Sequence, residues 1–185
     1  MDSASGIIKD SEMSFAEAIE GTNAPLHVVD RLAMADVFYL SFDGRRHQGQ
    51  IIVDVELEED VYEMFALMEK LQFPVNKVLP IIAYNWQDDD SMEDNNSSGF
   101  NYRTVAGTTK LSLHALGRAI DINPRQNPII YQDGRIAPGG AVYDPKLPGV
   151  LSMDSPVVRE FISRGWRWGG NFEDMKDYHH LEKPY

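Results

Sequence analysis

The chain has 185 residues, 43% of them hydrophobic and 25% charged, which suits one globular domain with a sizeable core. Its formal net charge of −12 repels phosphate backbones and anionic membrane surfaces, so neither nucleic acid nor a membrane is an expected partner. The absence of cysteine excludes disulfides and thiolate metal sites, so any metal must be held by His, Asp or Glu.

No internal repeat is visible, and no apolar run approaches the roughly 18 residues of a membrane span. The start, MDSASGIIKDSEMS, lacks the basic and apolar stretches of a signal peptide. A cytoplasmic protein is expected, or a periplasmic or secreted one if a leader has been removed.

In chain order, residues 1–11 read as loosely ordered. SEMSFAEAIEGTN predicts a short helix with Ser11 or Ser14 as its cap and Gly21 as its stop, and residues 1–30 read as an amino-terminal extension. ADVFYLSF and GQIIVDVE alternate in polarity around Asp43-Gly44, the signature of a hairpin. Residues 57–72 form the clearest helix, with Leu57, Val61, Met64, Phe65, Met68 and Leu71 on one stripe and acids in the first turn. VNKVLPIIAY reads as a strand, and residues 85–99, with the acidic run DDDSMED, read as a solvated loop. RAIDIN has strand character and ends at Pro124. Residues 125–150 are rich in Pro and Gly and predict a long loop with short strands. SPVVREFISRG predicts a helix capped by Ser155, opened by Pro156 and stopped by Gly165, with Val158, Phe161 and Ile162 inward. A strand is expected at the end of the chain. This irregular mixture favours an α+β fold, a single domain with a central antiparallel sheet flanked by helices.

The chemistry concentrates in two places. SLHALGRAID holds His114 and Asp121, seven residues apart. On one strand they would point to opposite faces, so they converge only if His114 lies in the loop before the strand and Gly117 makes the bend. Asp121 lies between two isoleucines, and a carboxylate emerging from an apolar strand needs a partner. Taken alone, such a pair reads first as a hydrogen bond that steadies a loop. The second place is DYHHLE, with Asp177, His179, His180 and Glu182. Hydrolytic zinc takes three protein ligands and leaves a fourth position for water. One His and one Asp from the first cluster and one His from the second complete that set, with Asp177 or Glu182 as general base. Spacing does not choose between His179 and His180. On an alternating strand Asp177 and His179 share a face, whereas a turn around Tyr178 lets Asp177 meet His180.

The pattern Ser-x-His-x-x-Gly-x-Ala-x-Asp, here Ser112, His114, Gly117, Ala119 and Asp121, resembles the M15 family of zinc peptidases. That family includes D-alanyl-D-alanine carboxypeptidases, dipeptidases, and the L-alanyl-D-glutamate endopeptidases of phage lysins. Asp177-Tyr-His-His180 is similar to the family's second element, WRWGG to the segment leading into it, and FNYR to its Tyr-Arg site. GRRHQGQIIV and the following helix look like the lysin branch, so the resemblance covers roughly residues 35–183, in a domain taken as 31–185. It implies the M15 or hedgehog-like fold with zinc at the sheet edge, held by His114, Asp121 and His180. Asp177 would be the general base on the zinc-bound water, and Arg103 would bind the substrate carbonyl oxygen. The implied substrate is a peptidoglycan stem peptide, cut at D-Ala-D-Ala or at L-Ala-D-Glu. His179 stands where the family commonly has proline. The alternative is a non-catalytic zinc-binding module of the same fold, but such a module has no need of Asp177 or Arg103. Trp166 and Trp168 read as core or cleft wall, His47 as a turn residue at the surface or hydrogen-bonded within the loop, His27 as incidental, and Ser112 as a hydroxyl bonded to local backbone.

Overall fold

The computed structural model describes residues 6–185. Residues 1–5 of the stretch expected to be loose lie outside them, but Ile8–Lys9 is already a strand, β1, parallel to the hairpin. Helix α1 (Phe15–Ala18) starts at Ser14, whose hydroxyl and Glu17 form a capping box. A second one-turn helix, α2 (Leu26–Val29), follows Pro25 and was not foreseen. The hairpin is present as β2 (Leu32–Leu40) and β3 (Arg46–Asp54), paired from Leu32↔Asp54 to Leu40↔Arg46. His47 meets expectation only in part, hydrogen-bonding to Asp43 of the turn but not lying at the surface. It lies on β3, is buried, and its ring nitrogens face Asp10 and Asp43 rather than solvent.

Helix α3 (Glu58–Lys70) buries Val61, Met64, Phe65 and Met68. Leu57 is buried just ahead of it, while Leu71, at its end, is 42% exposed and outside the stripe. The strand expected over VNKVLPIIAY shrinks to β4 (Lys77–Val78), because Pro80 cannot donate to a ladder and a 3-10 turn follows at Ile81–Tyr84. The acidic stretch is not a loop throughout. It contains α4 (Asp88–Glu93), whose three opening aspartates suit the positive end of the helix, and β5 (Asn96–Ser97), parallel to β4. Then come β6 (Ala119–Asp121), the short β7 (Ile129–Tyr131) and β8 (Ile136–Ala137), and α5 (Pro156–Ser163). In α5 the buried residues are Val157, Val158 and Phe161. Ile162 is 38% exposed, and Ser155 makes no capping bond. The chain closes with β9 (Arg167–Trp168), β10 (Met175–Asp177) and β11 (His180–Glu182).

The result is a small mixed α/β domain, but the single central sheet expected from the sequence is divided. Among the described residues the strands form four small sheets, ordered β1-β3-β2, β10-β7-β8, β6-β11-β9 and β4-β5. Strands of two or three residues cannot build one continuous sheet; what joins the sheets is the core between them. Residues of β2, β3, α3 and α5 share one apolar cluster with Ile120 and Ile122, Leu181, Trp166 and Trp168. The two tryptophans are therefore core. The segment before residue 30 packs on the same domain, with Ala18 and Val28 in a second cluster beside Leu32, Ile52 and Phe100.

Strand alternation decides the orientation of the site. Ile120 and Leu181 face inward, so Asp121, His180 and Glu182 face the other way. Gly117 makes the turn into β6 with φ +67°, and a Cβ there would lie 2.5 Å from the Asp54 backbone nitrogen. Both the left-handed backbone and the close approach require glycine. Replacing Gly117 with alanine is expected to destabilise the protein by about 2 kcal/mol or more, read as a lower denaturant midpoint. An unchanged midpoint would contradict this account of the turn.

Candidate metal centre and cleft

The first cluster is built by a 3-10 turn followed by a strand. Ser112 accepts a bond from the His114 N–H and caps the turn Leu113–Leu116, so its hydroxyl is local structure. Gly117 then reverses the chain into β6. The second cluster arrives on β11, antiparallel to β6 with His180 directly opposite Asp121. On its other side Asp121 exchanges both backbone bonds with Ser98, so the site lies across paired strands.

This brings His114, Asp121 and His180 together, with one ligand atom from each all within 4.8 Å of one another. His114 Nε2 lies 3.2 Å from Asp121 Oδ2 and 3.2 Å from His180 Nδ1, and His180 Nδ1 lies 3.1 Å from Asp121 Oδ1. The outer nitrogens of both rings are committed. His114 Nδ1 donates to the Gly99 carbonyl at 2.7 Å, and His180 Nε2 donates to Glu182 at 3.0 Å. In the neutral rings both lone pairs therefore point into the gap that also holds the carboxylate. Three acceptors facing one another require a cation or a proton between them, and two imidazole nitrogens with one carboxylate are a donor set that suits zinc. In the metal-free protein a proton takes that place. Burial disfavours the His180 imidazolium, but the Asp121 and Glu182 carboxylates outweigh it and push its pKa up to about 10. Asp121 is likewise held well below the usual carboxylate range, its burial outweighed by the neighbouring imidazoles.

The other predicted residues take distinct places. Asp177 ends β10, three residues before His180, and its Oδ1 is buried without a hydrogen-bond partner. His179 Nε2 lies 3.1 Å from that oxygen but off the hydrogen-bonding line, while His179 Nδ1 donates to the Asn127 carbonyl at 2.7 Å. His179 is outside the three-residue group. Glu182 is taken up by His180 and Arg167. Of the two carboxylates considered for the base, Asp177 is the one that keeps an oxygen without a hydrogen bond. Arg103 stands in the cleft wall with Nη2 2.8 Å from Asp88 Oδ2 and its Nε buried and unpaired.

These side chains line one cleft of about 490 Å³, together with Tyr131, Phe172 and Lys110. Several of its supports were not identified from the sequence. The Gly99 carbonyl that orients His114, and Asp88, both come from the stretch read as a solvated loop. The 125–150 segment braces Asp177 and its neighbours: Ile129 pairs with Asp177, Tyr143 stacks on Tyr178 at 3.6 Å, and Asn127 holds His179. WRWGG serves the same strand. Trp168 Nε1 donates to the Tyr178 carbonyl, and a Cβ on Gly169 would lie 2.3 Å from the Asp177 carbonyl oxygen.

A comparison with protein families matches residues 106–183 to an M15 peptidase model described as D-alanyl-D-alanine carboxypeptidase. No curated protein and no solved structure matches. The matched stretch contains His114, Asp121, Asp177 and His180 and every strand that carries them. Over that carboxy-terminal region the chain is similar to the M15 peptidase family.

Proposed function

We propose that the protein is a metal-dependent peptidase that hydrolyses a peptide bond next to a D-amino acid in peptidoglycan stem peptides. The observation that carries this reading is the convergence of two imidazoles and a carboxylate, tautomers already set, beside a buried carboxylate with an oxygen lacking a hydrogen bond and a cleft arginine. His114 Nε2, Asp121 and His180 Nδ1 would hold zinc. Bound zinc supplies Lewis-acid polarisation and makes water acidic enough to act at neutral pH. Asp177 takes the proton of the attacking water as the new C–O bond forms, then passes it to the amine nitrogen as the C–N bond breaks. Arg103, held by Asp88, donates to the carbonyl oxygen as charge develops there. The family match supports action on D-Ala-containing peptides, while the hairpin with its helix resembles the lysin branch; D-Ala-D-Ala and L-Ala-D-Glu bonds are thus the two substrates to test.

Digestion of purified stem peptides, with zinc and with chelator, read by mass spectrometry, tests this directly. Loss of a terminal alanine identifies a carboxypeptidase, and cleavage between L-Ala and D-Glu an endopeptidase; no mass change from the zinc-loaded protein would contradict the proposal. Asp177→Asn should retain zinc and lose about two to four orders of magnitude in kcat. His114→Ala should lose the metal itself; if His179→Ala lost it and His180→Ala did not, the ligand assignment would be wrong.

The raised pKa of His180 sets a pH dependence with a defined sign. Its protonated form stabilises the metal-free fold fully below about 6.5, and this stabilisation fades as pH rises towards about 10. Zinc must displace that proton. Apparent zinc affinity should therefore tighten by about tenfold per pH unit across this window, measured by chelator competition, and a flat profile would refute the displacement.

A further inference from the structure

We propose that Glu182 is a positioning residue for the metal centre: it dictates which nitrogen of His180 faces the metal. The proposal rests on the metal reading above and goes beyond its ligand set. On β11, His180 and Glu182 are two residues apart, so strand alternation puts them on the same face. Glu182 Oε2 lies 3.0 Å from His180 Nε2, and both side chains are nearly buried, 11% and 12% exposed. A carboxylate can only accept, so Nε2 carries the hydrogen and Nδ1 keeps its lone pair for the gap shared with Asp121 and His114. Without that acceptor either tautomer becomes available, and the tautomer bearing its hydrogen on Nδ1 would aim an N–H at the cation.

Glu182 is itself fixed. Its other oxygen pairs with Arg167 on β9, directly across the ladder. Arg167, Glu182 and His180 thus form a line running along paired strands into the centre. The arrangement also removes Glu182 from proton transfer with substrate, because both of its oxygens are engaged.

The test compares zinc affinity, by competition with a chromophoric chelator, and the visible spectrum of the Co²⁺-loaded protein in wild type, Glu182→Gln, Glu182→Ala and Glu182→Met. Alanine and methionine remove the acceptor, and methionine keeps much of the volume should the alanine variant fail to fold. Both should weaken zinc binding about 10- to 100-fold and shift the Co²⁺ bands. Glutamine, whose amide oxygen still accepts from Nε2–H, should restore most of the affinity and the wild-type spectrum. Wild-type affinity and bands in the methionine variant would overturn the proposal, as would an equal loss in glutamine and methionine, which would mark the effect as packing. Absence of zinc binding in the wild type would instead overturn the metal reading on which the proposal stands.

Discussion

The pairing of β6 with β11 is the constraint on which the site depends. It joins residues 59 positions apart, Asp121 and His180, as direct neighbours across an antiparallel ladder. Strand periodicity does the rest. Each step inward, Ile120, Ile122 or Leu181, is anchored in the apolar core, while Asp121, His180 and Glu182 point outward into the cleft. A slip of one residue in this register would turn the carboxylate and imidazole into the apolar core and the isoleucines towards the cleft, so the same apolar contacts that stabilise the fold also specify the site. Sheets this small have little ladder energy of their own, and the core between them holds their register.

Burial makes the arrangement demanding. Asp121 is almost inaccessible, and a lone charge there would be costly. The imidazoles offset that cost, and their outer nitrogens are in turn satisfied by Gly99 and Glu182. Every group around the gap is therefore oriented by something behind it. This is the organisation that a metal ligand shell needs.

Much of this was legible in the sequence because its signals are local. The hairpin followed from alternation around Asp43-Gly44, α3 from its apolar stripe, and the turn between His114 and Asp121 from Gly117. Failures came where tertiary context overrides local pattern. DDDSMED reads as a solvated run by composition, yet it forms a helix whose Asp88 pairs with Arg103, a contact no spacing rule announces. The 125–150 segment reads as irregular and largely is, but its backbone supplies the partner strand of Asp177 and the acceptor for His179. The burial of His47 depends on Asp10, far away in sequence, so its place beside the turn does not announce it. Backbone carbonyls such as Gly99 leave no mark in a sequence, so the orientation of His114 could not have been read from residue types.

The most direct measurement is a zinc-soaked crystal with anomalous scattering recorded at the zinc edge. The account predicts one ion at the β6–β11 junction, bonded to His114 Nε2, the Asp121 carboxylate and His180 Nδ1, with Asp177 beside it and unbound. An ion held by His179 instead, or no ion there at all, would contradict it.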